Sequence, residues 1–241
     1  FDLAMEILRK KGQKVAAKRA DRDSSEGAVI AKVNDGKTEG VIVSLNCETD
    51  FVAKNESFVE LANQLAELAL DFDSKDAFLA ANFNGISVQE KLLEQTGVIG
   101  EKIEIGGFKK LSAPFVGSYI HAGNKIATLV GLSEVVDDAA TVAKDVAMQA
   151  AAMNPVALNE DQVDQETIDK EIEIAKDQLR QEGKPEEMLE KIAQGKLKRF
   201  FKDNTLVNQA FIKDSKVSVA QYVKSAQSGL EVTGFARVAL G

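Results

Sequence analysis

The sequence predicts an α+β fold of two related subdomains, each a small antiparallel sheet with helices packed on one face, with a helical-hairpin insertion in the second. Three observations carry this expectation. A strand–turn–strand pattern that runs into an amphipathic helix occurs at 28–70 and again at 117–152. A further strand follows each, at 102–110 and at 234–240. A Glu-, Lys- and Gln-rich stretch at 164–202 spaces its apolar residues as a coiled-coil seam does. The boundaries expected are 1–22 for a helical remnant and linker, 23–112 for the first subdomain and 113–241 for the second.

In chain order, 1–20 reads as a helix with Leu3, Ile7 and Leu8 on one apolar stripe, followed by a basic run from Lys10 to Arg19. That run reads as a solvated face rather than an RNA-binding arm. The chain starts on Phe1 inside the helical pattern, so its natural start is expected to be missing. Asp21 to Gly27 is a polar boundary. Strands at 28–33 and 40–45 flank Asn34-Asp35-Gly36, where the Asp-Gly pair is expected to supply positive φ. Gly36-Lys37-Thr38 superficially matches the end of a P-loop, but Ala31 stands where the glycine should be and no helix follows.

Ser57-Phe58-Val59-Glu60 reads as a capping box opening a helix to Leu70, with Phe58, Leu61, Leu65 and Leu68 as its apolar face. Helices are expected at 74–81 and at 88–96, the latter ended by Gly97. Glu101–Ile105 alternates as a half-exposed strand closed by Gly106-Gly107. After Pro114 come strands at 117–120 and 126–132 about a turn at Gly123-Asn124-Lys125. A helix at 137–152 then carries Val142, Val146 and Met153. Ile168, Ile172, Ala175 and Leu179 form the seam of the insertion, and Gly183-Lys184-Pro185 breaks it, with Pro185 as the first residue of the returning helix. A helix at 217–227 and the strand at 234–240 complete the chain.

The stretch around which this is organised is Asn46-Cys47-Glu48-Thr49-Asp50-Phe51-Val52-Ala53-Lys54, a connection between strand and helix. Phe51 has two readings there. It folds back onto Phe58 or Leu61, or it stands exposed for a partner.

The totals restrict the chemistry. A net charge of −8 argues against a protein devoted to phosphate backbone, and one Cys with one His excludes disulfide frameworks and multi-Cys zinc sites. Cys47 and His121 are the only candidate nucleophile pair, and no sequence feature joins them. There is no nucleotide cradle, no metal-ligand spacing, no secretory signal and no apolar run of membrane-spanning length. The chain reads as a non-enzyme without cofactor or metal, cytoplasmic, and without nucleic-acid or membrane contacts.

Thr49-Asp50-Phe51-Val52-Ala53-Lys54, after the strand ending Leu45-Asn46-Cys47, resembles the signature of the elongation factor Ts family. Ile99-Gly100-Glu101, Gly117-Ser118-Tyr119 with His121, Gly183-Lys184-Pro185 and Val232-Thr233-Gly234-Phe235 resemble family segments in the same order, so the resemblance spans essentially the whole chain. It implies a guanine nucleotide exchange factor of translation elongation whose partner is elongation factor Tu carrying GDP, with no nucleotide bound by the factor itself. It further implies that Thr49, Asp50, Phe51 and Val52 enter the partner near its magnesium and phosphate site, with Phe51 as a wedge. Ile99, Gly100 and His121 match other contact positions. The resemblance favours the exposed reading of Phe51. Family members usually begin with a small helical domain, of which Phe1–Lys11 looks like the last helix, and some carry a helical extension after the last strand. The runner-up is a non-exchanging module that uses the 164–202 hairpin to scaffold or to form a homodimer.

Overall fold

The computed structural model describes residues 2–241. Helix α1 (Asp2–Lys18) crosses α5 and leads into the first sheet, formed by β1 (Glu26–Val33), β2 (Glu39–Cys47) and later β5 (Glu104–Ser112), antiparallel in the order β1-β2-β5. Between β2 and β5 lie α2 (Asp50–Ala53), α3 (Glu56–Ala69), α4 (Lys75–Ala80), the two-residue strands β3 (Asn82–Phe83) and β4 (Ile86–Ser87), and α5 (Val88–Ile99). The second sheet runs β10-β7-β6, from β6 (Phe115–Ile120), β7 (Ile126–Leu132) and β10 (Val232–Ala239). Helix α6 (Ala139–Met153) covers it. The hairpin α7 (Gln165–Gln181) and α8 (Glu186–Asn204), a short ribbon β8 (Ala210–Phe211) with β9 (Asp214–Ser218), and α9 (Val219–Ala226) complete the chain.

Each sheet has the same middle-strand arrangement, and each buries both faces. On the outer face of the first sheet, Val41, Val43 and Leu45 meet Phe58, Leu61 and Leu65 of α3. On the inner face, Val29, Ala31 and Ile42 pack against Val116, Ala127, Leu129 and Ala236 of the other sheet. A strand buried on two sides has no water-facing positions, which is why 41–45 is apolar at every position but Ser44, whose buried hydroxyl donates to the Asn46 side-chain oxygen. Gly40 lets the sheets close, since a Cβ there would stand 2.8 Å from Leu129 Cδ2. In the second sheet the buried Thr128 hydroxyl donates to the Ala147 carbonyl at 2.8 Å, so α6 satisfies the polar group that it covers.

Several local expectations are corrected. Helix α3 is capped by Asn55, whose side-chain oxygen accepts from the Ser57 amide at 3.0 Å, so Ser57 lies inside the helix. The first hairpin places positive φ at Lys37 (56°) rather than Gly36, because Asn34 Oδ1 gathers the amides of Thr38 and Glu39. Helix α5 runs through Gly97 to Ile99 and stops at Gly100, which is left-handed (φ 82°). Gly106-Gly107 lies within β5. The ladder slips opposite Gly106, where the Asn46 side chain crosses and a Cβ would meet its Nδ2 at 2.3 Å. Pro185 is the N-cap of α8, and the helix begins at Glu186. Leu3 and Ile7 are exposed, since α1 meets α5 along Leu8 and Gly12 rather than along the whole apolar stripe, and Met153 is exposed at the end of α6.

Candidate functional site

The site begins where β2 runs out. Cys47, fully buried, directs its thiol at the Thr49 carbonyl (3.2 Å). Thr49 is extended (φ −120°, ψ 151°) and its hydroxyl accepts from the Val52 amide at 3.4 Å, capping the single helical turn α2. Two residues of that turn, Val52 and Ala53, pack onto the first core. Asp50 and Phe51 are left on the outer side.

Phe51 is 83% exposed, although Phe58 and Leu61, the positions proposed to receive it, are buried at 3% and 8%. Those places are filled by the core itself. A phenyl ring left in water forgoes roughly 1.5–3 kcal/mol of burial. Beside it, Asp50 and Lys54 form an exposed ion pair at 2.6 Å. The Lys54 ammonium holds the Asp50 carboxyl below the usual range, first through that hydrogen bond.

Ile99 and Gly100 lie at the end of α5, Ile99 half-buried against the same core. Gly100 turns the chain so that Glu101 faces the start of the α2 turn. Glu101 Oε2 accepts from the amides of Glu48 (3.0 Å) and Thr49 (3.1 Å), and its Oε1 accepts from the Thr49 hydroxyl (2.7 Å). The return bond runs from the Lys102 amide to Glu48 Oε1 at 2.7 Å, and Arg19 Nη1 donates to Glu48 Oε2 at 2.6 Å. Residues 48–51 and 99–102 are thus tied together.

His121 is exposed in the turn between β6 and β7, with Nδ1 2.9 Å from the Tyr119 hydroxyl. Its neighbour Ile120 packs against the first core, as do Val52, Ala53 and Ile99. Asn124 in the same turn accepts from the Val29 amide at 2.8 Å, and the Lys125 charge contributes to lowering Asp50. Beside His121 a cleft of about 380 Å³ opens, lined by Tyr119, Ile126, Met148, Ala152 and Ile212. The structure therefore gathers Thr49–Val52, Ile99–Gly100 and the His121 turn around one end of the first sheet.

Nucleophilic chemistry has no support here. Burial first, and then the Glu101 charge, push the Cys47 thiol up to about 12, so it remains protonated and enclosed. His121 faces solvent and Tyr119 instead. The bracing by Glu48 and Glu101 is not legible in the sequence, where Ile99-Gly100-Glu101 stands out only as a segment that resembles the family's. A carboxylate that accepts backbone amides some 50 residues away leaves no periodic trace.

A family model described as "Elongation factor TS" matches residues 48–241. Over all 241 residues the chain is 73% identical to "Elongation factor Ts" of Christiangramia forsetii and covers 88% of it. It is 66% identical to that of Flavobacterium psychrophilum over the same 241 residues, again 88% of the relative. It is 45% identical over 243 residues to that of Porphyromonas gingivalis, with all of this chain and 87% of the relative aligned.

Proposed function

Because the chain belongs to the elongation factor Ts family, and so serves as a nucleotide exchange factor in translation elongation, we propose that it binds elongation factor Tu carrying GDP and speeds nucleotide release by wedging Phe51 near the partner's magnesium and phosphate site. The observation that carries this reading is the exposure of Phe51, 83%, on a turn whose other apolar residues are anchored in the core. An exposed aromatic on a firm base can enter a partner at little cost in ordering.

GDP in such a partner is held by Mg²⁺ and by backbone N–H groups around its phosphates. An apolar wedge displaces the elements that carry them without touching the base. The factor has only to bind the distorted partner better than the relaxed one, and release and rebinding are then both accelerated. No bond is made or broken, so no catalytic side chain is called for. In this reading Thr49, Asp50 and Val52 accompany Phe51, while Ile99, Gly100 and His121 form the flanking contact. The subdomains divide at 22 and 112, the second meets a different part of the partner, and the protein acts in the cytoplasm.

The test is release of fluorescent GDP from elongation factor Tu by this chain and by its Phe51→Ala variant. The variant is expected to lose most of the acceleration while its stability stays within about 0.5 kcal/mol, as for exposed substitutions generally. Equal rates would refute the wedge and favour an interaction module built on the α7–α8 hairpin, dimeric or scaffolding, which does not depend on Phe51.

A further inference from the structure

We propose that Glu101 is a positioning residue for exchange: together with Glu48 it clamps the turn that carries Phe51. The inference rests on the reading of Phe51 as the exchange wedge and adds to it what holds the wedge in place.

A four-residue helix cannot hold its own orientation, because one turn fixes several dihedrals for one or two hydrogen bonds. Its direction must be set from outside. Val52 and Ala53 anchor its inner side, but the entry of the chain into the turn, at Glu48 and Thr49, is set by the Glu101 carboxylate. Both of that carboxylate's oxygens are used, Oε2 by two backbone amides and Oε1 by the Thr49 hydroxyl. Hydrogen bonds to an ionised acceptor are about twice as strong as neutral ones.

The Thr49 hydroxyl transmits this hold. It has one proton, and donating it to Glu101 leaves its lone pairs free to accept from the Val52 amide. Glu101 thereby also fixes the cap of the turn. The clamp is reciprocal, since Glu48 accepts from the Lys102 amide next to Glu101, and Arg19 locks Glu48 from the far side. Gly100 is what allows it. Its left-handed φ of 82° reverses the chain after α5 and brings Glu101 round to the Glu48–Thr49 peptide. Ile99-Gly100-Glu101 and Thr49-Asp50-Phe51 thus form one mechanical unit, although about 50 residues separate them.

The experiment measures GDP release from elongation factor Tu with Glu101→Ala, Glu101→Gln and Phe51→Ala, singly and with Glu101→Ala combined with Phe51→Ala. Hydrogen exchange at the Glu48 and Thr49 amides is followed in parallel. Glu101→Ala is expected to slow release roughly tenfold or more, because a turn freed from its clamp presents Phe51 in the competent orientation only a fraction of the time, and to speed exchange at those two amides. Glu101→Gln is expected to stay within about twofold, because its amide oxygen still accepts from both N–H groups and its NH₂ can donate to Thr49 Oγ1. In the Phe51→Ala background, Glu101→Ala should add nothing. Should Glu101→Ala fail to fold, Thr49→Val removes only the hydroxyl's two bonds and is expected to show the same coupling to Phe51. A Glu101→Ala or Thr49→Val protein that folds and exchanges like the wild type overturns the proposal, as does a loss of equal size with and without Phe51. A Phe51→Ala protein with wild-type activity refutes the wedge itself, and the clamp's role falls with it.

Discussion

Gly12 of α1 and Gly97 of α5 meet backbone to backbone: a Cβ on Gly97 would stand 2.9 Å from the Gly12 amide nitrogen, and one on Gly12 only 1.9 Å from the Leu93 carbonyl oxygen. Glycine inside a helix costs about 1 kcal/mol relative to alanine. Here that cost is offset by an approach that no side chain would permit, supplemented by Arg9–Glu90 at 3.4 Å.

Gly12→Ala is therefore expected to push α1 away from α5 at a cost of about 1–3 kcal/mol, as overpacking does. Limited proteolysis and amide exchange should show α1 opening before the sheets. Gly195→Ala in α8 is the control, since a Cβ there meets nothing within 4 Å. That change should stabilise α8 by up to about 1 kcal/mol. Equal effects of the two would remove the close crossing as an explanation for Gly12.

Cys47 makes stability depend on alkaline pH. Its thiol rises from 9.0 to about 12 on folding, chiefly by burial. The unfolded chain ionises first, so unfolding releases a proton between those values. The contribution is intact below pH 9 and is lost as pH climbs toward 12, at up to about 1.4 kcal/mol per pH unit. Urea midpoints between pH 8 and 11 should fall more steeply for the wild type than for Cys47→Ala, and the native thiol should react slowly with thiol reagents. Parallel pH profiles would show that the thiol is not buried in solution.

Asp145 is 7% exposed and accepts from Tyr222 (2.6 Å) and from Lys213, joining α6 to α9 and to the end of the β8–β9 ribbon. Burial, and next this hydrogen bond, raise the Tyr222 hydroxyl above its ordinary value, and the ring stacks on Phe211 with centroids 4.0 Å apart. Asp145→Ala removes the acceptor of the part-buried Tyr222 hydroxyl, while the half-exposed Lys213 ammonium can turn to water, and should cost about 1–3 kcal/mol. Asp145→Asn should cost less, because its amide oxygen still accepts from Tyr222. Denaturant unfolding measures both. A wild-type midpoint for Asp145→Ala would mean that Tyr222 finds water as well.

The main elements were legible because their signals are local. The periods of strand and helix in 40–45, 57–70 and 126–132 need no knowledge of the rest of the chain. Boundaries were read less well wherever two local signals competed. Ser57 offered a capping box, but Asn55 two residues earlier made the cap. Gly97 looked like a helix end but serves the crossing with Gly12, and Gly100 ends the helix instead. The ribbons at 82–87 and 210–218 were missed, being too short to establish a period.

Of the candidate site, the stretch Thr49–Val52 was identifiable from its residues, and so was its likeness to a family. The exposure of Phe51, 83%, agrees with what that likeness implies, but residue pattern without it does not give the orientation. By residue statistics alone an aromatic beside an amphipathic helix leans toward a buried place, and the outcome depends on Phe58 and Leu61, which already fill the core at 3% and 8% exposure. The clamp from Glu101 to Thr49, the meeting of Gly12 with Gly97 and the covering of each sheet by the other belong likewise to the tertiary structure. Sequence by itself determined which segments are strands and helices, since propensity and periodicity act over a few residues. Only the fold decided which face of each would meet water, because that is a property of distant segments closing on one another.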